Sequence, residues 1–290
     1  MTYVGRFAPS PTGPLHFGSL ITALASFLDA RKAGGLWLLR IEDLDPQRES
    51  RDAPAQIISQ LSALGLTWDK DILYQSSRLK NYEKVLNRLR DLGAIYPCIC
   101  SRKSVPSIYK GTCRAKKFEE LEVYSIRLKV NDQTINFNDQ LLGPQRWSVK
   151  DKVGDFIIRR KDGLFAYQLA VVVDDDFQGV NKIVRGGDLL SSTPRQLAIY
   201  KILGLYQPEY LHVPVIVDAN GDKLSKQANS KPLVTSNPLR LLRHALTVLG
   251  QNPQKDVSQL SDLIDRAIKA WRVELIPAST RKVAPQDYLH

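Results

Sequence analysis

The sequence predicts an α/β fold of the doubly wound kind, with helices covering a largely parallel sheet. Three observations predict it. A short apolar stretch at Tyr3, Val4 and Phe7 passes through a proline-rich turn into helical periodicity at Leu20, Ile21, Leu24, Phe27 and Leu28. A nearly continuous apolar run, Leu36-Trp37-Leu38-Leu39-Arg40-Ile41, follows, as expected for a strand covered on both faces. Two amphipathic segments come next, so strand and helix alternate from the start of the chain.

In the first turn, Pro9, Pro11 and Pro14 cannot donate to a ladder and fix φ, so the strand must end there. The helix is expected to open near Ser19, a suitable N-cap. His16 and Gly18 then sit where free N–H groups and the positive dipole end suit a phosphate. Gly18 keeps a side chain out of the way of a nucleotide, and His16 can donate to a phosphate oxygen. A plain strand–helix turn carrying an incidental histidine fits the same residues.

Glu42, Asp43 and Asp45 follow the second strand at its carboxyl end, the end that faces the ligand crevice in open α/β sheets. A carboxylate there can hold an ammonium group or a ribose hydroxyl. A solvated acidic loop turning at Asp45-Pro46 is the other reading. The segment from Arg51 to Leu64 carries Ile57, Ile58, Leu61 and Leu64 on one side and ends at Gly65. The segment from Tyr82 to Leu92 repeats the pattern with Val85, Leu86 and Leu89, ending at Gly93.

All three cysteines, Cys98, Cys100 and Cys113, fall in one short stretch with Tyr109 between them. Thiolates are preferred zinc ligands, and such spacing lets a loop close on one ion. The fourth ligand would be Tyr109, an acidic side chain or water; three reduced thiols near a turn fit equally. The following polar stretch reads as an insertion, with an alternating strand from Tyr124 to Val130.

Farther on, Phe156 to Ile158 is apolar, and Ala166 to Val173 reads as a helix or a buried strand passing into an acidic turn at Asp174-Asp175-Asp176. Arg185 stands in a glycine-flexible turn, Val184 to Leu190, where its guanidinium can fork onto a carboxylate. Thr193 to Leu203 reads as a helix opened by Thr193 or Pro194. Leu211 to Val217 reads as one strand, leading to a glycine-led loop with Lys223, Ser225 and Lys226. Those lysines can meet developing phosphate charge, or the loop is a basic surface hairpin. Two amphipathic helices, Leu239 to Leu249 and Leu260 to Trp271, carry Arg240, Arg243, Lys269 and nearby Arg272 among their apolar stripes.

The whole-chain totals narrow the functional classes. The chain has 290 residues, with 41 Lys and Arg against 30 Asp and Glu, for a net charge of +11. That excess favours a polyanionic partner such as nucleic acid. No apolar run has the length of a membrane span, no signal-peptide core precedes the first strand, and three cysteines make no disulfide framework. A cytoplasmic protein without a membrane role is expected.

His16-Phe17-Gly18-Ser19 and Lys223-Leu224-Ser225-Lys226-Gln227, in that order on an α/β pattern, resemble the HIGH and KMSKS signatures of class I aminoacyl-tRNA synthetases. The octet from Arg6 to Gly13 resembles the glutamyl-tRNA synthetase family closely. Arg40 to Asp45, Tyr74-Gln75-Ser76 and Val171 to Asp175 extend the similarity, which runs over residues 3 to 250. Ser19 stands where many class I enzymes have a second histidine, Leu224 replaces methionine and Gln227 replaces the final serine. From Gln227 the chain runs only to His290, too short for the family's anticodon-binding region. With the Cys-x-Cys and Tyr-x-x-x-Cys spacing, this form is similar to the glutamyl-queuosine tRNA(Asp) synthetases.

The resemblance implies a Rossmann-type catalytic domain in two parts, 1–96 and 153–235. It implies an inserted zinc-containing, acceptor-like subdomain over 97–152 and a helical appendage over 236–290, with no anticodon-binding domain. It implies ATP, L-glutamate and the queuosine-containing anticodon stem-loop of tRNA(Asp) as partners of a monomer. His16, Lys223 and Lys226 would be catalytic. His16, Gly18, Ser19, Lys223, Ser225 and Lys226 would hold ATP with its Mg²⁺. Arg6, Ala8, Ser10, Glu42, Tyr167 and Arg185 would hold glutamate, and Cys98, Cys100, Tyr109 and Cys113 a structural Zn²⁺. Two other functions are open: a truncated glutamyl-tRNA synthetase charging a 3′ end, and a non-catalytic RNA-binding paralogue.

Overall fold

The structure, a computed structural model, describes residues 2–101, 104–105, 108–116, 123–217, 221 and 232–282. The chain runs β1 (Val4–Phe7), α1 (Phe17–Lys32), β2 (Leu36–Ile41), α2 (Ala53–Ala63), β3 (Leu73–Tyr74), α3 (Leu79–Asp91) and β4 (Ile95–Cys98). It continues through β5 (Ser125–Leu128), β6 (Thr134–Asp139), β7 (Gly143–Ser148), the short α4 (Val149–Lys152), β8 (Phe156–Arg159) and α5 (Tyr167–Gln178). Then come β9 (Lys182–Gly186), α6 (Thr193–Leu203), β10 (Glu209–Val213), β11 (Ile216–Val217), α7 (Pro238–Val248), α8 (Leu260–Ala270) and β12 (Arg281–Lys282).

β1 pairs in parallel with β2, and β2 with β3. On the other side of β1 lies β9, tied at its start by the Asn181 N–H on the Val4 carbonyl at 3.0 Å. β10 extends that side in parallel from β9. Strand order therefore reverses between β1 and β9. That reversal is where open α/β sheets open a crevice at their strands' carboxyl ends. β6 joins β10 in parallel at Asp139 opposite Tyr210 and forms an antiparallel hairpin with β7. A separate antiparallel sheet takes the order β4-β5-β8.

β2 explains its own composition. Trp37 and Leu39 pack into a core with α1, α7 and α8, whereas Leu38 enters a second core with Tyr82, Leu86, Val172 and Tyr200. Alternate side chains thus serve opposite faces, and burying each is worth about 1.5–3 kcal/mol. The Trp37 indole N–H is satisfied by Ser26 Oγ at 2.9 Å.

The structure corrects several boundaries. α1 begins at Phe17, not near Ser19, and its N-cap is His16, whose Nδ1 accepts the Ser19 N–H at 3.2 Å. Asp174, Asp175 and Asp176 form no turn. They lie inside α5, which ends only at Gly179 in the left-handed region, φ 68°. The strand read from Leu211 to Val217 is two, β10 and β11, parted at Pro214, which has no N–H for a ladder. Arg185 belongs to β9 rather than to a flexible turn. Among the described residues, no helix is long and apolar enough to cross a membrane.

Candidate active site

A cleft of about 800 Å³ opens at the carboxyl ends of β1 and β9, against the first turn of α1. Arg6, Ala8 and Ser10 line it from β1 and the following turn, and His16, Gly18 and Ser19 from the start of α1. Glu42 comes from the end of β2, Tyr167 from the start of α5 and Arg185 from β9. His16, Gly18 and Ser19, expected at phosphate, thus share one cavity with the residues expected at the amino acid. Lys223, Ser225 and Lys226 lie outside the described residues, although Pro214, Val215 and Ile216 before them line the cleft.

Sequence reasoning missed Thr12, Arg48, Asp188 and Leu189, which also line the cleft. Arg48 lies just past the acidic run 42–45, and Asp188 follows the Gly186-Gly187 pair, so their neighbours carried the only signal. At Gly186 a Cβ would fall 2.5 Å from Asp188 Oδ1, so a side chain there would push the Asp188 carboxylate aside.

The floor beneath β1 is a network of charges. Arg6 donates through Nε to Asp175 Oδ1 at 3.0 Å, and Arg40 through Nη1 to the same oxygen at 2.8 Å. Arg40 also donates through Nη1 to Gln178 Oε1 at 2.8 Å and reaches Glu42 Oε1 through Nη2 at 3.4 Å. Burial pushes the Asp175 carboxyl up, but Arg40 and Arg6 outweigh it and hold it below the ordinary value. At Glu42 burial wins over the pull of Arg40 and Arg6, and the carboxyl is pushed up to about 7. Tyr167 is pushed up by burial, against the opposing charge of Arg185.

Arg185 is held differently. Its Nε donates to His212 Nε2 at 3.1 Å, Nη1 to Gln196 Oε1 at 2.7 Å and Nη2 to Thr193 Oγ1 at 2.7 Å. Its guanidinium also lies 5.2 Å from the Tyr210 ring centre. It therefore meets the cleft as a fixed positive charge rather than as the swinging side chain that a glycine-rich turn suggested.

Away from the cleft, after β4, the three cysteines converge, with all sulfurs within 4.8 Å of one another. The Tyr109 hydroxyl lies 3.5 Å from Cys98 Sγ and 3.4 Å from Cys100 Sγ, and Cys100 Sγ lies 3.5 Å from Cys113 Sγ. The sulfurs are too far apart for a disulfide. Zinc–sulfur bonds of about 2.3 Å in a tetrahedron put sulfurs on the order of 3.8 Å apart, so the donor set fits one such ion. Arg127 adds positive charge, with Nε 3.2 Å from Cys98 Sγ and its guanidinium 4.1 Å over the Tyr109 ring. Burial raises the Cys98 thiol, but Tyr109 and Arg127 overcome it and bring it down to about 7. Among the described residues, no His, Asp or Glu joins this cluster, and the Tyr109 hydroxyl lies beside it.

Known proteins resemble this chain in sequence and in fold. Residues 3–240 match the family described as tRNA synthetases class I (E and Q), catalytic domain. The chain is 48% identical over 281 residues to the Glutamyl-Q tRNA(Asp) synthetase of Pseudomonas fluorescens, covering 95% of this chain and 94% of that one. It is 46% identical over 285 residues to the Glutamyl-Q tRNA(Asp) synthetase of Chromobacterium violaceum, covering 95% and 96%. The crystal structure of a glutamate tRNA ligase from Elizabethkingia meningosepticum in complex with its amino acid is 22% identical. It superposes with a TM-score of 0.84 over 99% of this chain and 68% of that one, a likeness of fold.

Proposed function

The chain belongs to the glutamyl-Q tRNA(Asp) synthetase family, built on the class I (E and Q) catalytic domain, and on that premise we propose that it activates L-glutamate with ATP and transfers it to queuosine in tRNA(Asp). The observation that carries the reading is the single cleft in which Arg6, Glu42, Tyr167 and Arg185 face the first turn of α1.

The reaction has two steps. A glutamate α-carboxylate oxygen attacks the α-phosphorus of ATP, and pyrophosphate leaves. A hydroxyl of the queuosine cyclopentenediol then attacks the carbonyl carbon of the adenylate, losing its proton as AMP leaves. In-line attack at phosphorus needs positioning and charge neutralisation more than a covalent nucleophile. His16, Gly18 and Ser19 supply this at the α1 N-terminus, where the dipole favours phosphate. Lys223 and Lys226, with Ser225, are assigned to the phosphates by their resemblance to the family's loop. Mg²⁺ arrives with ATP and offsets its charge.

Arg6 and Arg185 suit the two glutamate carboxylates, and Glu42 the ammonium. Ala8 and Ser10 border the amino acid, and Tyr167 closes its pocket. Cys98, Cys100, Tyr109 and Cys113 would hold one structural Zn²⁺, which would cross-link the end of β4 to the segment that follows it. The net charge of +11 suits the phosphates of an anticodon stem-loop, with the modified base splayed toward the cleft.

The test is transfer of labelled glutamate onto two tRNA pools, one from normal cells and one from cells unable to make queuosine. Labelling of only the queuosine-containing pool is expected. Equal labelling of both would mean a 3′-end synthetase or another acceptor instead. Glutamate-dependent pyrophosphate exchange without tRNA separates either enzyme from a non-catalytic RNA binder.

A further inference from the structure

We infer that Arg40 and Asp175 are positioning residues that lock Arg6 and Glu42 into one rigid unit and so set the spacing at which the cleft reads its amino acid. The inference rests on the glutamate-binding reading of the cleft. Neither Arg40 nor Asp175 lines the cavity, and both side chains are fully buried. Yet each touches a residue that does. Asp175 holds Arg6 at 3.0 Å, Arg40 bridges Asp175 at 2.8 Å, and Arg40 reaches Glu42 at 3.4 Å.

The charges alternate in sign along this path: Arg6, Asp175, Arg40, Glu42. Each link is charge-assisted, and the path spans β1, α5 and β2. The Glu42 backbone is fixed as well, its N–H donating to the Pro9 carbonyl at 3.0 Å. A ligand carrying an ammonium and a carboxylate therefore meets Glu42 and Arg6 at a separation it does not have to organise.

Removing Arg40 acts on the ligand through Glu42. The charged and titratable groups facing Glu42 are Arg6 from β1, Arg40 from its own strand, and Asp175 and Tyr167 from α5. Without Arg40, burial and Asp175 favour the protonated carboxyl, and of these groups Arg6 is left to oppose them. The neutral acid no longer pairs with an ammonium.

The experiment is glutamate-dependent pyrophosphate exchange across pH, using the full chain and its Arg40→Gln, Arg40→Lys and Asp175→Asn variants. Arg40→Gln is expected to raise the KM for glutamate about ten- to a hundred-fold, the range for loss of a hydrogen bond to a charged group. The KM for ATP should stay within about threefold, since uniform loss of binding would move both. The acid limb of the glutamate profile should move to higher pH in Arg40→Gln and less in Arg40→Lys, which keeps the charge but loses the fork. A folded Arg40→Gln enzyme with the parent glutamate KM overturns the inference. So do KM values for glutamate and ATP that rise in step with an unmoved acid limb. Should Arg40→Gln fail to fold, Arg40→Lys carries the same comparison, and Asp175→Asn, which takes away a charge that favours protonated Glu42, should raise the glutamate KM while moving the acid limb to lower pH. Absence of glutamate-dependent exchange in the parent enzyme overturns the reading of the cleft itself.

Discussion

His212 Nδ1 lies 2.6 Å from Asp139 Oδ2, and neither side chain is exposed. Arg185 Nε donates to the opposite ring nitrogen, so the neutral ring must carry its proton on Nδ1 and give it to Asp139. Asp139 closes β6, a strand in the segment read from sequence as a polar insertion. A hairpin in that segment therefore reaches the arginine in the cleft wall through one histidine.

Changing this histidine should alter glutamate binding. His212→Phe takes the acceptor from the Arg185 Nε–H and leaves Asp139 only its backbone donors at Leu141, Leu142 and residue 212, and should raise the glutamate KM about tenfold or more. His212→Gln, which can both accept and donate, should stay closer to the parent. Pyrophosphate exchange measures both. Equal loss in the two variants would mean that ring packing, not the hydrogen bond, holds Arg185.

Stability should respond to pH through the same ring. Burial pushes the His212 pKa below its ordinary 6.5, with Arg185 assisting and Asp139 opposing. The unfolded chain then binds a proton that the folded ring resists. The stability His212 supplies is full above pH 6.5 and declines as pH falls below it. Urea unfolding of parent and His212→Gln should show a stability difference that narrows from neutral pH toward pH 5.

Glu42 should give glutamate binding an acid limb. Its carboxyl is pushed up to about 7, so it loses its charge as pH falls through that value. Glutamate affinity by calorimetry should weaken below about pH 7. Glu42→Gln should bind weakly with a flat profile between pH 6 and 8. A parent profile that is flat over this range would remove Glu42 as the ammonium partner.

Asp174 should be a stability residue. It is fully buried and accepts from Gln75 Nε2 at 2.9 Å, Arg78 Nε at 3.0 Å and the Tyr82 hydroxyl at 2.6 Å. Asp174→Ala strands three donors and should cost about 3–5 kcal/mol. Asp256, exposed and paired with Arg266, should show no measurable change as Asp256→Ala. Denaturant midpoints separate the two outcomes.

The cysteine cluster should bind one equivalent of zinc. Elemental analysis of the purified protein should find it, and Cys98→Ser should lower the content. Thiol titration of the native chain should be slow until a chelator is added, then reach all three cysteines. Three fast thiols and no zinc would leave a reduced, metal-free cluster.

Local pattern revealed much of this molecule. The apolar spacing of α1 and the unbroken run of β2 each answer to neighbours a few residues away, and so does the phosphate-suited turn between them. Asp174 and Asp175 look like a turn in sequence because acidic runs favour solvent. Their partners Arg6, Arg40 and Arg78 lie far away in sequence, and only the fold brings them together. His212 was hidden for the same reason, as one polar residue in an apolar strand. The split of β10 from β11 at Pro214 was open to view, since proline has no N–H to give.

The cap of α1 has an effect on chemistry as well as on folding. His16 Nδ1 is occupied as an acceptor by the Ser19 N–H. In the neutral ring the proton must then reside on Nε2. The helix's first turn therefore selects one tautomer before any ligand arrives, and the ring's remaining nitrogen is a donor without an added proton. Any substitution that shifted the helix start by one residue would release that choice.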